Sequence, residues 1–377
     1  MWPAILAPGS VAPGSVARGW GVLSVVAPKE LAHSLWPASG VHGKKGVGVV
    51  LKLRLHPQAD SKTLQPASTP PPIEPVERFH GRPQSSSVSA AADLVPFKRG
   101  AEVVIYGAAY PVPGQQSSVA GFALSSATDR LLLEKRIWVI GARSSRAASG
   151  MASGVEPLIG PVPLHYELAY GGPSYAAQGQ LGQGYALNPV GCGHCPWGGE
   201  LTAGEPQPQW VWPNLCSRGG QPAGLGPLAQ AWAPRAERCG RLDEEAYRRG
   251  RLDYLQRPHP AVHNAAPDDQ QLPEPLRGDE CLTLYGLSPA TAGGLAATWS
   301  LPGLTPRLAL AGAAGGSRAV PLALDTVAVT TGERLTVDLS WRTWLSDAAC
   351  ASASLLHVDL VQVDLVQVDR VGRFDAF

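Results

Sequence analysis

The stretch VGVVLKLRL, residues 47–55, combines two signals of β-structure. Its first half is rich in β-branched valine, and its second half alternates leucine with a basic residue. Five further segments have the same short, β-branched or alternating character: EVVIYGAAY (102–110), LLLEKRIWVIG (131–141), CLTLYGL (281–287), LALDTVAV (322–329) and RLTVDLSWRTW (334–344). We therefore expect a mainly β protein, a sandwich or open barrel of short strands.

Glycine and proline supply 79 of the 377 residues, which is well above their usual share of about 12%. Glycine opens left-handed backbone conformations and proline removes a hydrogen-bond donor, so long irregular loops should connect the strands. We expect only one or two short helices. The best candidate is RLDEEAYRRGRLDYL (241–255), in which acidic residues precede arginines as the helix dipole favours.

The low charge of the chain limits the partners that it can bind. Charged residues make up 16% of the sequence and the formal net charge is +1, with the basic residues scattered. No basic stripe is present to bind a phosphate backbone, so the sequence argues against a nucleic-acid partner. A surface poor in charge favours contact with another protein. The start of the sequence lacks the basic and apolar pattern of a signal peptide, and no apolar run is long enough for a membrane span, so we expect a cytoplasmic protein.

Tandem repeats of period five mark the two ends of the chain. Residues 1–44 contain APGSV-APGSV and are predicted to be a flexible, low-complexity leader. Residues 45–345 are predicted to form a single domain, within which residues 145–235 are loop-rich and irregular. Residues 346–377 form a tail with the repeat VDLVQ-VDLVQ, for which an edge strand, a partial pentapeptide coil and a frayed end all remain open.

Two cysteine and histidine motifs resemble catalytic or metal-binding patterns but lack necessary residues. CGHC (192–195) has the spacing of a redox dithiol, but Pro196 and flanking glycines prevent the helix that such a thiol needs. An incidental pair is favoured over thiol-redox chemistry through Cys192 and Cys195 and over a metal site. HPAVH (259–263) has the histidine spacing of a helical zinc site, but proline interrupts it and no glutamate follows the first histidine.

The acidic segment AAPDDQQLPEPLRGDE, residues 265–280, allows two interpretations. The first is turn chemistry, in which prolines and a glycine shape the backbone and the carboxylates accept N–H bonds. The second is a metal-dependent hydrolase, whose ligands would be His263, Asp268, Asp269, Asp279 and Glu280. Turn chemistry is favoured, and we expect no cofactor.

The segment PQWVWPNL places Trp210 and Trp212 two residues apart. Strand alternation would put both rings on one face beside turn residues, where they would form an aromatic anchor for a partner. Burial of both rings in the core is the alternative that the size of tryptophan favours.

An ordered series of motifs resembles a known family. The motifs are DLVPFKRGAEVVIYGAAYPVPG (93–114), VPLHYELAYGG (162–172), NPVGCG (188–193), WPNL (212–215), GLGPLAQAWAPR (224–235), GRLDEEAY (240–247), APDDQQL (266–272), RGDE (277–280) and LDTVAV followed by WR (324–329 and 341–342). Together, over roughly residues 45–345, they resemble the domain of unknown function 2169 family, accessory proteins of bacterial type VI secretion. The resemblance implies a non-catalytic adaptor or chaperone that binds an effector toxin and assists its loading onto the VgrG/PAAR spike.

None of the positions that match the family is an established catalytic residue of that family. These positions are Asp93, Pro96, Lys98, Gly107, Gly171, Gly172, Asn188, Pro189, Trp232, Arg235, Asp243, Asp268, Gln270, Gln271, Asp279, Glu280, Asp325 and Arg342. The chain departs from the family at 141–143, where Gly-Ala-Arg replaces Gly-Asp-Arg, and at 240–242, where Gly-Arg-Leu replaces Gly-Thr before the aspartate. The first departure removes a carboxylate, and both alter positions that would take part in local polar networks.

Overall fold

The computed structural model describes residues 24–40, 44–58, 61–145, 152–172, 184–192, 214–217, 223–233, 235–239, 245, 248–249, 260–312, 316–332, 334–351 and 353–362. In this part of the chain the strands form sheets of four, five and seven strands and three two-stranded ribbons. None of these sheets closes into a barrel within the described ranges. The prediction of a mainly β protein built from short strands is confirmed.

The first half of the chain contributes the strands β1 (Ser24–Val26), β2 (Leu31–Ser39), β3 (Lys45–His56), β4 (Gln65–Pro66), β5 (Arg78–Phe79), β6 (Val88–Ala90), β7 (Ala101–Tyr106), β8 (Ala108–Ala109), β9 (Ser117–Ser125), β10 (Leu131–Ile140), β11 (Arg143–Ser145), β12 (Ala152–Val155) and β13 (Val162–Pro163). The second half contributes β14 (Leu215–Cys216), β15 (Gln271–Leu272), β16 (Cys281–Tyr285), β17 (Ala296–Ser300), β18 (Leu304–Gly312), β19 (Ser317–Val320), β20 (Ala323–Thr330), β21 (Thr336–Ser346) and β22 (Ala353–Gln362). Among the described residues, α-helix is found at α1 (Asp347–Ala351) and at Glu245 and Arg248, and 3₁₀ turns lie at Tyr166–Leu168, Ala236–Arg238, Pro260–His263, Asp268–Gln270 and Pro289–Gly294.

The seven-stranded sheet has the order β15-β7-β20-β21-β3-β2, with β4 paired to the end of β3. The predicted strand at 47–55 is β3, and it lies inside the sheet between β2 and β21. Its alternating leucines, Leu51, Leu53 and Leu55, are fully buried. β20 pairs with β7 in the parallel direction, whereas the other neighbours of β20 and β3 are antiparallel.

The five-stranded sheet has the order β14-β10-β9-β16-β17, and the four-stranded sheet has the order β1-β22-β18-β19. Strand β9, with the sequence SSVAGFALS, escaped prediction because its small residues weaken the β-branched signal. Its Phe122 is nevertheless fully buried. One hydrophobic core draws on all three larger sheets, with Leu53 from β3, Phe122 from β9 and Leu356 from β22 among its members.

The prediction of a flexible leader over residues 1–44 is wrong from residue 24 onward. β2 pairs with β3 over nine positions. A side chain on Gly48 would come within 2.5 Å of the Trp36 ring, so a glycine at this position leaves room for the tryptophan of the neighbouring strand. The serine, histidine and Pro37 of β2 concealed its strand character, because an outermost strand tolerates residues that an inner strand does not. The APGSV repeat lies outside the described residues.

In the tail, the first copy of VDLVQ, residues 358–362, forms the end of β22. β1 pairs with β22 only at residues 355–357, whereas residues 358–362 pair with β18 alone among the described strands. This copy of the repeat is therefore paired on one side, as expected of an edge strand. The second copy lies outside the described residues. So does most of the predicted helix 241–255, of which only Glu245, Arg248 and Arg249 are described. No helix within the described ranges is both long enough and apolar enough to cross a membrane.

Candidate functional site

Four of the positions that match the family meet in one buried ion network on the seven-stranded sheet. Arg342, on β21, donates through Nη1 to Asp325, on β20, and its Nη2 lies 3.5 Å from Asp93 Oδ1. Arg342 Nε also donates to the carbonyl of Asp93, 3.1 Å away. Lys98 Nζ donates to Thr326 Oγ1 over 2.9 Å, which joins it to the same group. Residues that are far apart in sequence therefore form one polar cluster.

Two members of this network, Lys52 and Glu102, are not among the positions that the sequence analysis singled out. Lys52 Nζ, on β3, lies 2.9 Å from Asp93 Oδ2. Glu102, on β7, pairs with Lys98 and accepts the N–H of Ala266 over 3.0 Å. The signal that would have found them is a charged residue inside a strand pattern that is otherwise apolar, because such a charge needs a buried partner.

The network contains three cations and three anions, all with little or no exposure to solvent: Lys52, Lys98, Arg342, Asp93, Glu102 and Asp325. Burial raises the pKa of Asp325, and the neighbouring positive charge of Arg342 opposes that shift. Each charge is matched by an opposite charge in contact with it. An arrangement of this kind orients strands and offers no free acid or base to a substrate.

A β-bulge gives β20 its place in the network. The register between β20 and β21 shifts between Leu324 and Thr326, so Asp325 is the extra residue on the bulged strand. The bulge lets β20 present the side chains of two consecutive residues, Asp325 and Thr326, to the same guanidinium group.

A second polar cluster holds the loop that follows Tyr166. Asn188 is fully buried and donates through Nδ2 to the carbonyls of Tyr166 and Tyr170, over 2.9 and 3.0 Å. The backbone carbonyl of Asn188 accepts the N–H of Gly172 over 2.6 Å. Gly171 and Gly172 have φ angles of +141° and +80°, which only glycine adopts readily. These three family positions therefore shape a loop.

The neighbouring family residues Trp232 and Arg235 fasten a further loop to this cluster. The ring of Trp232 packs edge-to-face on Tyr166, with 5.6 Å between the ring centroids. Arg235 pairs with Glu77 over 2.6 Å and also donates to the carbonyls of Leu228 and Val262. Its guanidinium group therefore ties three segments of loop together.

The remaining family positions also have local roles. Gly107 has a φ angle of +103°, and a side chain there would collide with Thr331, whose hydroxyl accepts the N–H of Ala108 over 2.7 Å. Pro96 is half-buried and Pro189 is exposed. Asp243 lies outside the described residues, as do residues 240–242 of one departure from the family pattern.

The acidic segment does not converge on one point. Asp268 pairs with Arg238, and Asp269 lies 2.8 Å from Lys135 Nζ. Asp279 lies 3.5 Å from Arg277. Glu280 accepts the backbone N–H groups of Arg277 and Gly278 over 2.7 and 2.8 Å, so it closes the turn before β16.

The two glutamines of the acidic segment act in the same structural way. Gln270 is fully buried and donates to the carbonyls of Val103 and Leu225 over 2.8 and 2.9 Å. Gln271 donates to the carbonyl of Ala266 over 2.7 Å. These bonds hold residues 266–271 against β7.

The proposed metal ligand His263 faces an aromatic ring. It packs edge-to-face on Phe97, with 5.2 Å between the ring centroids. Burial lowers the pKa of His263 to about 4, and the positive charges of Arg235, Lys98 and Arg342 act in the same direction. In the described part of the chain, no three His, Cys, Asp or Glu side chains are grouped so that they could hold a metal ion. The geometry of these residues therefore lends no support to the hydrolase interpretation.

Of the predicted thiol pair, Cys192 donates through Sγ to the carbonyl of Ala169 over 3.3 Å, and Cys195 lies outside the described residues. Trp210 and Trp212, the predicted aromatic anchor for a partner, also lie outside them. The described part of the chain instead exposes a different tryptophan, Trp138 on β10, which retains 42% of its accessible surface.

We use the term apolar patch for four apolar residues of the five-stranded sheet and of the loops beside it: Val112, Val119, Trp138 and Ile159. Val119, on β9, is the direct cross-strand partner of Trp138. Val112 borders Gly293 and Val119 borders Gly294. A side chain added at either glycine would contact the corresponding valine. Ile159 follows Leu158, which is hydrogen-bonded to residues 114 and 115.

Exposure makes this patch unusual within the described residues. Ile159 is 89% exposed and Val112 is 39% exposed. Beside the patch on the outer face of the five-stranded sheet, the guanidinium group of Arg136 lies 3.9 Å from the centroid of the Tyr285 ring. An exposed tryptophan with a cross-strand valine, on a sheet face that also carries an arginine stacked on a tyrosine, has the composition of a protein-binding surface.

Comparison with known proteins identifies a family without a described activity. Residues 42–342 match the family model described as "Uncharacterized protein conserved in bacteria (DUF2169)". No curated protein and no solved structure matches the chain.

Proposed function

The chain belongs to the DUF2169 family of bacterial proteins, and from this membership and the apolar patch we propose that it is a non-catalytic adaptor. In this proposal it binds a type VI secretion effector in the cytoplasm and assists the loading of that effector onto the VgrG/PAAR spike. The secretion role comes from the resemblance of the ordered motifs. The observation that supports binding as its mode of action is the exposed apolar patch.

The patch is large enough to provide an energetic anchor. A tryptophan buries about 200 Å² when it is fully covered. Trp138 retains 42% of its exposure, so covering the remainder would contribute about 2 kcal/mol to binding. That contribution corresponds to a change of about 30-fold in Kd. An anchor of this size suits a reversible complex that must release its cargo at the spike.

The structural roles of the charged residues in the family pattern also support a binding function. Several charged residues of the motifs form ion pairs inside the scaffold, namely Asp93, Lys98, Glu102, Arg235, Asp325 and Arg342. A chain that uses its carboxylates and cations in this way keeps a rigid surface for a partner. Rigid presentation lowers the entropic cost of binding.

The test uses effector, VgrG and PAAR proteins of a bacterium that makes this chain. We expect them to co-purify with it, and we expect the effector to lose solubility or secretion when this chain is deleted. Trp138→Ser should weaken effector binding by about 30-fold in a calorimetric titration. Leu131→Ser is the matched control, because Leu131 is an exposed residue, 56% accessible, at the other end of the same strand. Normal solubility and secretion of the effector in the deletion strain would refute the adaptor role.

A further inference from the structure

The outer edge of the five-stranded sheet is an incompletely paired strand. β17 pairs with β16 on one side and forms the end of the sheet on the other. At its last residue, Ser300, the outward backbone groups are bonded to the segment 62–64: Ser300 N–H donates to Lys62 over 2.7 Å, and its carbonyl accepts from Leu64 over 3.0 Å. That segment covers one end of the edge.

Alternation along the strand determines which other groups face outward. In an antiparallel ladder every second residue directs its N–H and C=O away from a given neighbour. Ala296 and Thr298 therefore face the same way as Ser300. If the backbone groups of Thr298 face outward, Thr298 and its partner Thr283 form a non-hydrogen-bonded pair. The 2.8 Å contact between their hydroxyls agrees with this, because side chains approach most closely at such pairs.

These outward groups have no protein partner within the described residues. No hydrogen bond there involves the backbone N–H or C=O of Ala296 or Thr298, and both residues are exposed. The edge also lacks the features that usually prevent strand addition. The sequence AATWS contains no proline and no charge, whereas the outermost strand β2 carries Pro37 and the outermost strand β19 carries Arg318.

We propose that this edge binds a second copy of the chain, through antiparallel pairing of β17 about a twofold axis at Ala297. In this register Ala296 faces Thr298 of the partner subunit and Thr298 faces Ala296 of the partner subunit. Every free N–H meets a free C=O, so the partial charges of the two edges are complementary. Ser300 is outside the pairing and keeps its bonds to residues 62 and 64.

The same register brings apolar side chains together on the core-facing side of the strand. Ala297 and Trp299 lie on that side, because their direct partners on β16, Leu284 and Leu282, are fully buried. Leu295, which is 66% exposed, falls opposite Trp299 of the partner subunit. The twofold axis repeats this leucine–tryptophan contact, so self-pairing covers two exposed leucines. An unrelated extended peptide could use the same backbone groups, but it would not supply this reciprocal contact.

Sedimentation of the purified full chain tests the proposal. We expect its average mass to rise with concentration toward that of two chains. Thr298→Pro should remain a single chain at all concentrations, because proline removes one of the outward donors. Proline is tolerated where the N–H faces out of a sheet, so the fold should persist, as circular dichroism would show. Thr298→Val is the matched control and should still associate, since it preserves the backbone groups. Leu295→Asp should also abolish association, and it leaves the strand backbone unchanged if Thr298→Pro fails to fold.

Disulfide trapping tests the register. Opposed residues at a non-hydrogen-bonded pair have Cα atoms about 4.5 Å apart, which suits a disulfide. Ala297→Cys should therefore link two chains under oxidation, with the linked peptide identified by mass spectrometry, whereas Ala296→Cys should not link through position 296.

A single-chain mass at every concentration would overturn the proposal. So would association that survives both Thr298→Pro and Leu295→Asp, or protection of the Thr298 amide only when effector is added. Because effector binding is measured separately with Trp138→Ser, either proposal can fail without the other.

Discussion

Removal of one charge from the buried network should destabilise the protein strongly, and Lys98 provides the cleanest case. Lys98 and Glu102 are paired and have side-chain exposures of 2% and 0%. Lys98→Met leaves the fully buried Glu102 carboxylate with the Ala266 N–H as its remaining hydrogen-bond partner among the described residues. An uncompensated buried charge costs about 3–5 kcal/mol. That is a large fraction of the roughly 5–15 kcal/mol by which proteins are usually stable.

The converse substitution and the double variant separate pairing from packing. Glu102→Gln should cost a similar amount, because it leaves the Lys98 ammonium unpaired while the amide carbonyl can still accept the Ala266 N–H. The double variant removes both charges and keeps similar volumes. Its destabilisation should fall short of the sum of the two single variants by about 2 kcal/mol or more. Unfolding in urea, followed by circular dichroism with the slope compared between variants, measures these differences.

The control is an exposed pair with the same spacing along the chain. Arg249 and Glu245 are also four residues apart, but their side chains are 67% and 72% exposed. Arg249→Met should change stability by no more than about 0.5 kcal/mol. Additive effects of Lys98→Met and Glu102→Gln, or single effects below about 1 kcal/mol, would refute the assignment of this network as a coupled structural unit.

Two further predictions concern pH and packing. The pKa of His263 is about 4 in the folded state against 6.5 ordinarily, so the unfolded chain binds more protons between these values and stability should fall as the pH falls from 6.5 to 4. This histidine should lower the free energy of unfolding by about 3 kcal/mol over that pH range. His263→Phe should lack this pH dependence. A stability difference between the two proteins that stays constant across several pH values would contradict this reasoning. Gly48→Ala should cost about 1–3 kcal/mol, because the added methyl group meets the Trp36 ring at 2.5 Å. Its thermal midpoint should recover in part when Trp36→Leu is added, and no recovery would argue against that contact.

Part of this architecture is predictable from local pattern alone. The segments 47–55, 131–141 and 281–287 become β3, β10 and β16 because alternation of apolar and polar residues has the same period as a strand, and each face is defined within a few residues. Among the strands that prediction missed, β2 and β9 are rich in small or polar residues and acquire their place from their neighbours.

The candidate surface was less predictable than the strands. Trp138 belongs to a segment that was correctly predicted as a strand, but its exposure depends on which side of β10 the rest of the protein covers. The turn at 293–294 borders its cross-strand partner Val119, and residues 112–115 lie between that turn and Leu158, so the surroundings of Trp138 come from distant parts of the chain. The exposure of Trp138 therefore cannot be predicted from the pattern of residues around it in the sequence.

The order of residues along the chain is therefore enough to establish a mainly β protein, its glycine-dependent turns and its membership of a bacterial family, because these depend on short-range periodicity and on motif order. The partners of the buried charges depend on folding in three dimensions. Arg342 and Asp93 are 249 positions apart, yet they share a hydrogen bond. The openness of the β17 edge is likewise a property of sheet order, since a strand becomes an edge only when no other segment pairs with it.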